Sequence, residues 1–349
     1  MNAEIIEIQE GVAPPIPVIE RVARVLDDGG LVVLPTETVY GLCCRAGNDE
    51  VVERVYAAKG RPRESPLPFL IPDRDAVAIF TNEITGPASR LMDRFWPGPL
   101  TLVIGPDVGV ALRVPDQPFT QAVLAAASGP IHGTSANLTG EPPAQDGRTA
   151  AARLGEQVDL VVEAGPARLG LPSTIVRIPA VGPGEVLRVG GISAAEIMDE
   201  GKYTIALVCT GNTCRSPMAA AALRYFLADR PGFRVVSAGI AASDGARMTD
   251  SAADALVAAG IPVPDHRSQP WTSDLAATVD RVWVMTPSHL TAIRELTPET
   301  APRAHLLDPD GGAVSDPIGG GLAVYTACLE QLQELARQRL EALLGTQLP

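Results

Sequence analysis

From Tyr203 to Phe226 the chain reads YTIALVCTGNTCRSPMAAAALRYF, an apolar run, a short polar loop and an alanine-rich stretch. The apolar run predicts a buried strand, and the alanine-rich stretch, with Pro217 in its first turn, predicts a helix. The backbone N–H groups of a loop that leads from a strand into a helix can bind a phosphate, and the helix N-terminus adds partial positive charge. Both features stabilise a negative charge on the sulfur of Cys209.

Apolar strands alternate with amphipathic helical stretches along the rest of the chain, which predicts an α/β protein. A length of 349 residues fits two domains, which we expect over residues 10–200 and 203–345. A hydrophobic content of 46% with 20% charged residues excludes a disordered or fibrous protein. A net charge of −13 argues against nonspecific wrapping of nucleic acid.

The N-terminal residues contain no apolar core typical of a secretory signal, and no run of apolar residues predicts a membrane span. Five cysteines do not suggest a disulfide framework. We therefore expect a cytoplasmic enzyme with reduced thiols and no membrane contact. Cys43, Cys44 and Cys328 are expected in or near the core.

The loop after the strand has the residue types of a cysteine phosphatase. Cys209 would attack phosphorus, Arg215 would bind two phosphate oxygens, and Ser216 would donate a hydrogen bond to the sulfur. The phosphate would lie on the loop residues Thr210, Gly211, Asn212, Thr213 and Cys214. No second cysteine pair or histidine cluster completes a metal site, so we predict no metal ligands.

This stretch resembles the low-molecular-weight phosphotyrosine phosphatase family, whose signature is a cysteine, five residues, an arginine and a serine. The resemblance covers about residues 203–345 and implies a Rossmann-like parallel sheet, no cofactor and a late Asp-Pro as general acid. Two Asp-Pro pairs compete, at Asp308 and Asp316. We prefer Asp316, because a glycine-rich run and a helix follow it in the family order.

The loop most resembles the protein-arginine phosphatase branch of that family, because Thr213 stands where phosphotyrosine enzymes usually carry a bulky aliphatic residue. Ile318 stands where tyrosine phosphatases often have a tyrosine. The resemblance implies a phosphorylated protein substrate, with phosphoarginine favoured; phosphotyrosine hydrolysis and arsenate reduction remain open. Cys214 is either the partner of Cys209 in a reversible disulfide or an ordinary loop residue.

Polar loops also mark the first half of the chain: PTETVYGL (35–42), KGRP (59–62), TSANLTG (134–140), PSTIV (172–176) and LRVGG (187–191). Taken singly they are ordinary turns, and Lys59 with Arg61 at a helix end either complements the helix dipole or binds a polyphosphate. Together they resemble the YrdC/Sua5 family of threonylcarbamoyl-AMP synthases over residues 10–200. The K-x-R pair and the later S-x-N are that family's hallmark.

The resemblance implies a twisted α/β sheet with a concave nucleotide cavity for ATP and L-threonine. Bicarbonate and the threonine amine would form a carbamate that attacks the α-phosphate, and pyrophosphate would leave. Threonylcarbamoyl-AMP would pass to the tRNA threonylcarbamoyl-transfer machinery, and Mg²⁺ would accompany ATP. The implied ATP-binding residues are Lys59, Arg61, Ser65, Ser135, Asn137 and Arg188. The implied threonine-binding residues are Thr38, Arg113 and Ser173.

Two positions depart from the family pattern, because Leu70 and Gln117 stand where many members carry histidine. We expect His132 to be a packed or surface residue rather than a substitute for either. A non-catalytic module that binds double-stranded RNA, at least weakly, is the main alternative for the first half. The acidic composition and the intact K-x-R and S-x-N residues argue against it. A carbamoyl-transfer module is a further alternative, but the chain lacks matching cysteine pairs.

Overall fold

The computed structural model describes residues 3–9, 15–106 and 109–347. The chain divides into two compact units, one of Met1–Ile84, Ala88–Ala180 and Gly184–Glu200 and the other of Thr85–Pro87, Val181–Pro183 and Gly201–Pro349. The predicted start of the first domain at residue 10 lies in the segment 10–14, outside the described residues. The limits 10–200 and 203–345 therefore stay predictions.

The described part of the first unit is built on a mixed sheet. Its strands are β1 (Glu4–Glu7), β2 (Val32–Leu34), β3 (Gly41–Arg45), β4 (Phe69–Leu70), β5 (Leu100–Ile104), β6 (Val110–Arg113), β7 (Ile131–Ser135), β8 (Leu160–Glu163), β9 (Thr174–Arg177) and β10 (Glu185–Arg188). They lie in the order β1-β8-β2-β3-β7-β4-β6-β5-β9-β10. The β1-β8, β2-β8, β4-β6 and β5-β9 pairs are parallel and the others antiparallel.

Helices cover both faces of this sheet. They are α1 (Ile16–Asp27), α2 (Asp49–Lys59), α3 (Gly86–Phe95), α4 (Pro118–Ala126), α5 (Gly147–Leu154) and α6 (Ala194–Glu200). On β2, Val33 packs in one core cluster with α2 and α5, whereas Val32 and Leu34 pack in another with α1 and α4. This alternation is the two-residue period of a strand that is buried on both faces.

Local chemistry sets the ends of the helices that lead into the polar loops. The Asn48 side chain accepts the N–H of Val51 at the start of α2, and Gly60 ends that helix with a left-handed φ of 58°. At α4 the Gln117 side chain accepts the N–H groups of Phe119 and Thr120. Lys59 and Arg61 therefore flank a tight turn at the C-terminal end of α2.

The second unit has a sheet whose described strands are all parallel. They are β11 (Tyr203–Cys209), β12 (Phe233–Gly239), β13 (Arg281–Val284) and β14 (Ala304–Leu306), in the order β12-β11-β13-β14. Its helices are α7 (Arg215–Phe226), α8 (Asp250–Ala258), α9 (Ser273–Ala277), α10 (Pro287–Leu296) and α11 (Leu322–Leu344). The predicted α/β class and the Rossmann-like parallel sheet of this half are confirmed.

The central strand β11 explains why the sheet is parallel and covered on both sides. All seven of its residues are buried. Ile205 and Leu207 pack with α7, α8 and α11, whereas Ala206 and Val208 pack with α9 and α10. Cys209 ends β11 at the carboxyl edge, where open parallel sheets bind ligands.

The structure buries the cysteines that were expected in the core, and no described cysteine is in a disulfide. Among the described residues, no helix is both long and apolar enough to cross a membrane.

Candidate active sites

The predicted residues of the first unit converge on one cavity of about 550 Å³ over the sheet. It takes its walls from the ends of β3, β6, β7, β9 and β10 and from the turn after α2. All the predicted binding residues of this half line it except Lys59 and Thr38; those that do are Arg61, Ser65, Arg113, Ser135, Asn137, Ser173 and Arg188. Residues far apart in sequence thus share one site.

Three guanidinium groups give this cavity positive charge. Arg61 is anchored to the carbonyls of Ser65 and Pro66 at 3.1 Å, and Arg188 to the carbonyl of Ser173 at 2.8 Å. Burial, together with the nearby Arg113 and Arg61, lowers the pKa of Arg188. An anion bound between these groups would relieve their mutual repulsion, which favours a polyphosphate as ligand.

Arg113 is held by a buried carboxylate that the sequence analysis did not select. Its Nη2 donates to Glu37 Oε1 and to Thr38 Oγ1, both at 2.8 Å, and its Nε donates to Gly98 O at 3.2 Å. Glu37 also accepts the backbone N–H of Asp116 at 3.0 Å. Within the described residues Nη1 of Arg113 has no hydrogen-bond partner, so this group is available to a ligand in the cavity.

Lys59 lies behind the cavity wall, and only 2% of its surface is exposed. Its ammonium donates to the carbonyl of Ser135 and, at 2.7 Å, to that of Asn137. Burial, and secondarily the charge of Arg61, lowers its pKa to about 8. The lysine therefore holds the S-x-N loop in place and adds charge from beneath it. Thr38 has a similar supporting position beside Arg113.

Two further groups on the cavity surface are suited to a nucleotide or amino acid. Asn137 donates to the carbonyls of Leu138 and Glu141, while its Oδ1 is buried with no partner in the described part of the chain. The Ser173 hydroxyl lies 2.8 Å from that of Thr101. Buried polar atoms usually have partners, so Asn137 Oδ1 indicates where a ligand donor would bind.

The two departures from the histidine pattern have structural explanations. Leu70 forms part of the cavity wall, and a Cβ at Gly133 would lie 2.5 Å from its Cδ1, so β7 packs closely on it. Gln117 does not line the cavity; it caps α4. His132 is partly buried with its ring centroid 4.1 Å from that of Phe69, and burial lowers its pKa. It packs in the way expected of it.

The second unit places Cys209 at the base of the 210–214 loop. Cys209 Sγ lies 3.0 Å from Ser216 Oγ, and Asn212 donates to that hydroxyl at 2.9 Å. Asn212 has a left-handed φ of 55°, and its side chain also bonds Ser237 and the N–H of Gln269. The asparagine therefore fixes the loop's sharpest bend from inside the protein.

The loop presents its backbone as an anion site. Among the described residues, the N–H groups of 210–214 donate to no carbonyl or side chain. The loop packs directly against Gly239 of β12, where only glycine fits, because a Cβ there would lie 2.4 Å from Thr210 O and 2.9 Å from Asn212 N. Free N–H groups beside the N-terminus of α7 are the arrangement that binds phosphate in other folds.

Arg215 and Asp316 meet above this loop. Arg215 is buried and pairs through Nη2 with Asp316 Oδ2, while its Nη1 donates to Val314 O at 3.2 Å. The Asp316 side chain is 43% exposed. The rival Asp308 accepts the N–H of Asp310 within its own turn. The contact with Arg215 favours Asp316 as the acid.

Residues that the motif did not indicate complete this site. His289 Nε2 lies 2.8 Å from Thr210 Oγ1, and its pKa is lowered to about 4 by burial and by Arg215. His266 bonds the carbonyl of Asn212 at 2.7 Å. Tyr325 OH lies 3.4 Å from Cys214 Sγ. These groups come from β13–α10, the 265–269 stretch and α11, so only the fold brings them to the loop.

Two family models match the chain, one in each half. Residues 24–190 match the Sua5/YciO/YrdC family model, described as telomere recombination, and residues 204–347 match that of the low molecular weight phosphotyrosine protein phosphatases. A putative threonylcarbamoyl-AMP synthase of Mycobacterium tuberculosis is 35% identical over 182 residues, covering 49% of this chain and 83% of that protein. The chain belongs to both families, one in each half.

For other relatives, the aligned region is a smaller share of the relative or of this chain. The threonylcarbamoyl-AMP synthase of Bacillus subtilis is 36% identical over 193 residues, which is 52% of this chain and 56% of that protein. The chain thus spans about half the length of such curated relatives. The YwlE arginine phosphatase of Geobacillus stearothermophilus is 36% identical over 41% of this chain and 94% of its own, with a TM-score of 0.39.

One solved structure extends over nearly the whole chain. A variant Sua5 of Pyrococcus abyssi covers 95% of this chain and 97% of its own at 22% identity, with a TM-score of 0.53. This likeness concerns the fold alone.

Among the described residues no cluster of three His, Cys, Asp or Glu side chains could hold a metal ion.

Proposed function

We propose that the first unit is an L-threonylcarbamoyladenylate synthase, which uses L-threonine, bicarbonate and ATP. The observation that carries this proposal is the cavity with Arg61, Arg113 and Arg188 on its surface. Arg61 and Arg188 would bind the phosphates of ATP, with Lys59 adding charge from behind the S-x-N loop. Such fixed charges stabilise the negative charge that develops when pyrophosphate leaves.

The remaining residues of the cavity would position the nucleotide and the amino acid. Asn137 Oδ1 would accept a hydrogen bond from the nucleoside, and Ser65 and Ser135 would bind on the same side. Arg113 Nη1 would bind the threonine carboxylate, with Ser173 beside it and Thr38 orienting the guanidinium. The threonine amine, as its carbamate with bicarbonate, would then face the α-phosphate of ATP.

Mg²⁺ would enter this site with ATP. Glu64 and Glu141 line the cavity, and one or two carboxylates plus substrate phosphates are the ligands that Mg²⁺ commonly takes in ATP enzymes. The ion would neutralise charge on the departing pyrophosphate.

The synthase proposal is tested by supplying ¹³C-bicarbonate, ATP and threonine and by identifying the product by mass spectrometry. We expect threonylcarbamoyl-AMP with one ¹³C, which is lost in Arg188→Ala and retained in the control Arg177→Ala, whose side chain pairs with Glu185 on the exposed strand surface. A wild-type protein that forms no labelled adenylate would contradict the proposal. Retained binding of double-stranded RNA would then favour the non-catalytic alternative.

We propose that the second unit is a cysteine-dependent protein phosphatase. The contact of Cys209 with Ser216 under a loop of free N–H groups carries this proposal. Cys209 would attack phosphorus to form a phosphocysteine, Arg215 would turn from Asp316 to the phosphate, and the protonated Asp316 would give its proton to the leaving group. Water would then hydrolyse the phosphocysteine, so no cofactor is required.

Phosphoarginine is the substrate we propose for this site. Thr213 is a small, half-buried residue on the loop, and Ile318, two residues after Asp316, is aliphatic and offers no ring to stack on a phenyl group. Once Asp316 has given its proton to the leaving nitrogen, its carboxylate would pair with the released guanidinium, as it pairs with Arg215 here. Comparison of phosphoarginine and phosphotyrosine peptides of one sequence tests this, and Thr213→Ile should reverse the preference. A higher kcat/KM for phosphotyrosine in the wild type would contradict it.

We propose a cytoplasmic location. The synthase reaction needs ATP, the phosphatase reaction needs a reduced thiol, and the described cysteines are all free. The partners we propose are the tRNA threonylcarbamoyl-transfer machinery for the adenylate and a phosphorylated protein for the phosphatase.

A further inference from the structure

Beside Asp316 the second unit has a groove that the proposed chemistry does not use. Its volume is about 470 Å³. Asp316 and Pro317 form one wall, and Val324, Ala327 and Gln331 of α11 form the other. We call it the Asp316 groove. Because a catalytic acid stands at its end, any ligand that fills it lies next to the reacting phosphate.

The Asp316 groove is apolar and uncharged apart from that carboxylate. Its floor includes Cys328, whose thiol donates to Ser315 O at 3.8 Å and is 7% exposed. Burial raises the pKa of this thiol to about 11, so it is neutral at physiological pH. An anionic ligand would lose its hydration here without gaining a counter-ion. The one carboxylate, Asp316, already pairs with Arg215, so a cationic ligand would have no free counter-ion either, which favours an apolar occupant.

Large apolar side chains are exposed along the same stretch of the chain. Ile318 is 70% exposed, Leu322 48% and Val324 50%. A single exposed aliphatic residue is ordinary, but three lie within residues 318–324, which follow the general acid, and they give this segment an exposed apolar surface. Such surfaces commonly mark the place where a protein or peptide binds.

We propose that the Asp316 groove binds an apolar side chain next to the phosphorylated residue of a protein substrate. The inference rests on the proposed phosphatase function. Asp316 must reach the leaving atom, so the phosphorylated side chain ends there and its polypeptide passes over the surrounding surface. A small phosphorylated molecule has no flanking residues and does not use the groove.

The test compares two phosphopeptides with p-nitrophenyl phosphate in the full-length protein. One peptide has leucine on both sides of the phosphorylated residue and the other has serine. We expect kcat/KM about tenfold higher for the leucine peptide. In Ala327→Gln a neutral polar side chain fills the groove, and the ratio of leucine peptide to p-nitrophenyl phosphate should fall about tenfold.

Ala342→Gln is the matched control, because it makes the same change on an exposed position of α11 about 22 Å further along the helix. It should leave the ratio unchanged. Equal kcat/KM for the two peptides, with p-nitrophenyl phosphate still hydrolysed, would overturn the groove and leave the phosphatase function intact. Failure to hydrolyse any of the three substrates would overturn the function and the groove together.

Discussion

Replacing Glu37 by glutamine tests the buried ion pair that supports the proposed threonine site. Glu37 and Arg113 expose 2% and 9% of their side chains and meet at 2.8 Å. Each carboxylate oxygen of Glu37 accepts one donor, from Arg113 and from the backbone of Asp116. A glutamine has one acceptor oxygen, so its NH₂ group must face one of these two donors.

The expected loss follows from leaving a buried charge without its partner. Removing one member of a buried pair costs roughly 3–5 kcal/mol. Because glutamine keeps the shape and one hydrogen bond, we expect about 3 kcal/mol in the free energy of unfolding of the first unit. Arg113 would also lose its orientation, and we expect KM for threonine to rise about tenfold, or about 1.4 kcal/mol.

Hydrogen exchange in increasing urea, measured by mass spectrometry on peptides from β2 and β3, reports the unfolding of this unit in the full-length protein. The control is Glu185→Gln, whose partner Arg177 lies 3.1 Å away with both side chains at least half exposed. That surface pair should contribute less than about 1 kcal/mol. Equal losses in the free energy of unfolding for Glu37→Gln and Glu185→Gln, with an unchanged KM for threonine in Glu37→Gln, would refute the reasoning.

Three further outcomes follow from the two sites. Asp316→Asn should lower kcat about 10²- to 10⁴-fold for phosphopeptides, and less for p-nitrophenyl phosphate because its leaving group needs no proton. Asp308→Asn should have little effect on kcat. A larger loss in Asp308→Asn than in Asp316→Asn would assign the acid to Asp308. Burial lowers the pKa of Lys59 to about 8, so its charge is present below that pH and lost above it. KM for ATP should therefore rise as the pH passes about 8, and a constant KM across that range would contradict this. Gly239→Ala would place a Cβ 2.4 Å from Thr210 O and should reduce phosphatase kcat more than tenfold. Gly321→Ala, whose Cβ would meet nothing within 4 Å, should leave kcat unchanged. Equal kcat values for the two variants would contradict the close packing of the loop on Gly239.

The second unit was predictable because its sequence signals are local. The apolar run 203–209 became β11, and the residues after the loop became α7 as expected. Cys209 and Ser216 lie within one strand–loop–helix, so their contact follows from the motif, whereas Arg215 pairs with Asp316, 101 residues away. His289 and Tyr325 do not, because each is an ordinary residue of its helix until the fold places it against Thr210 or Cys214.

In the first unit the polar loops indicated a site, but not what each residue does there. The K-x-R pair suggested two similar cations, whereas the structure buries Lys59 under the S-x-N loop and leaves Arg61 on the cavity surface. In the sequence, Glu37 is one of several polar residues of PTETVYGL. Its role depends on Arg113, 76 residues away, which reaches it only through the pairing of the strands.

We expect the two proposed active sites to act independently, and the release of pyrophosphate by the wild type, Lys59→Ala and Cys209→Ser tests this most directly. The wild type should release pyrophosphate from ATP only when both threonine and bicarbonate are present. Lys59→Ala should abolish this release, and Cys209→Ser should leave it unchanged while abolishing phosphatase activity. Release that does not require threonine, or that is lost in a folded Cys209→Ser protein, would contradict the account.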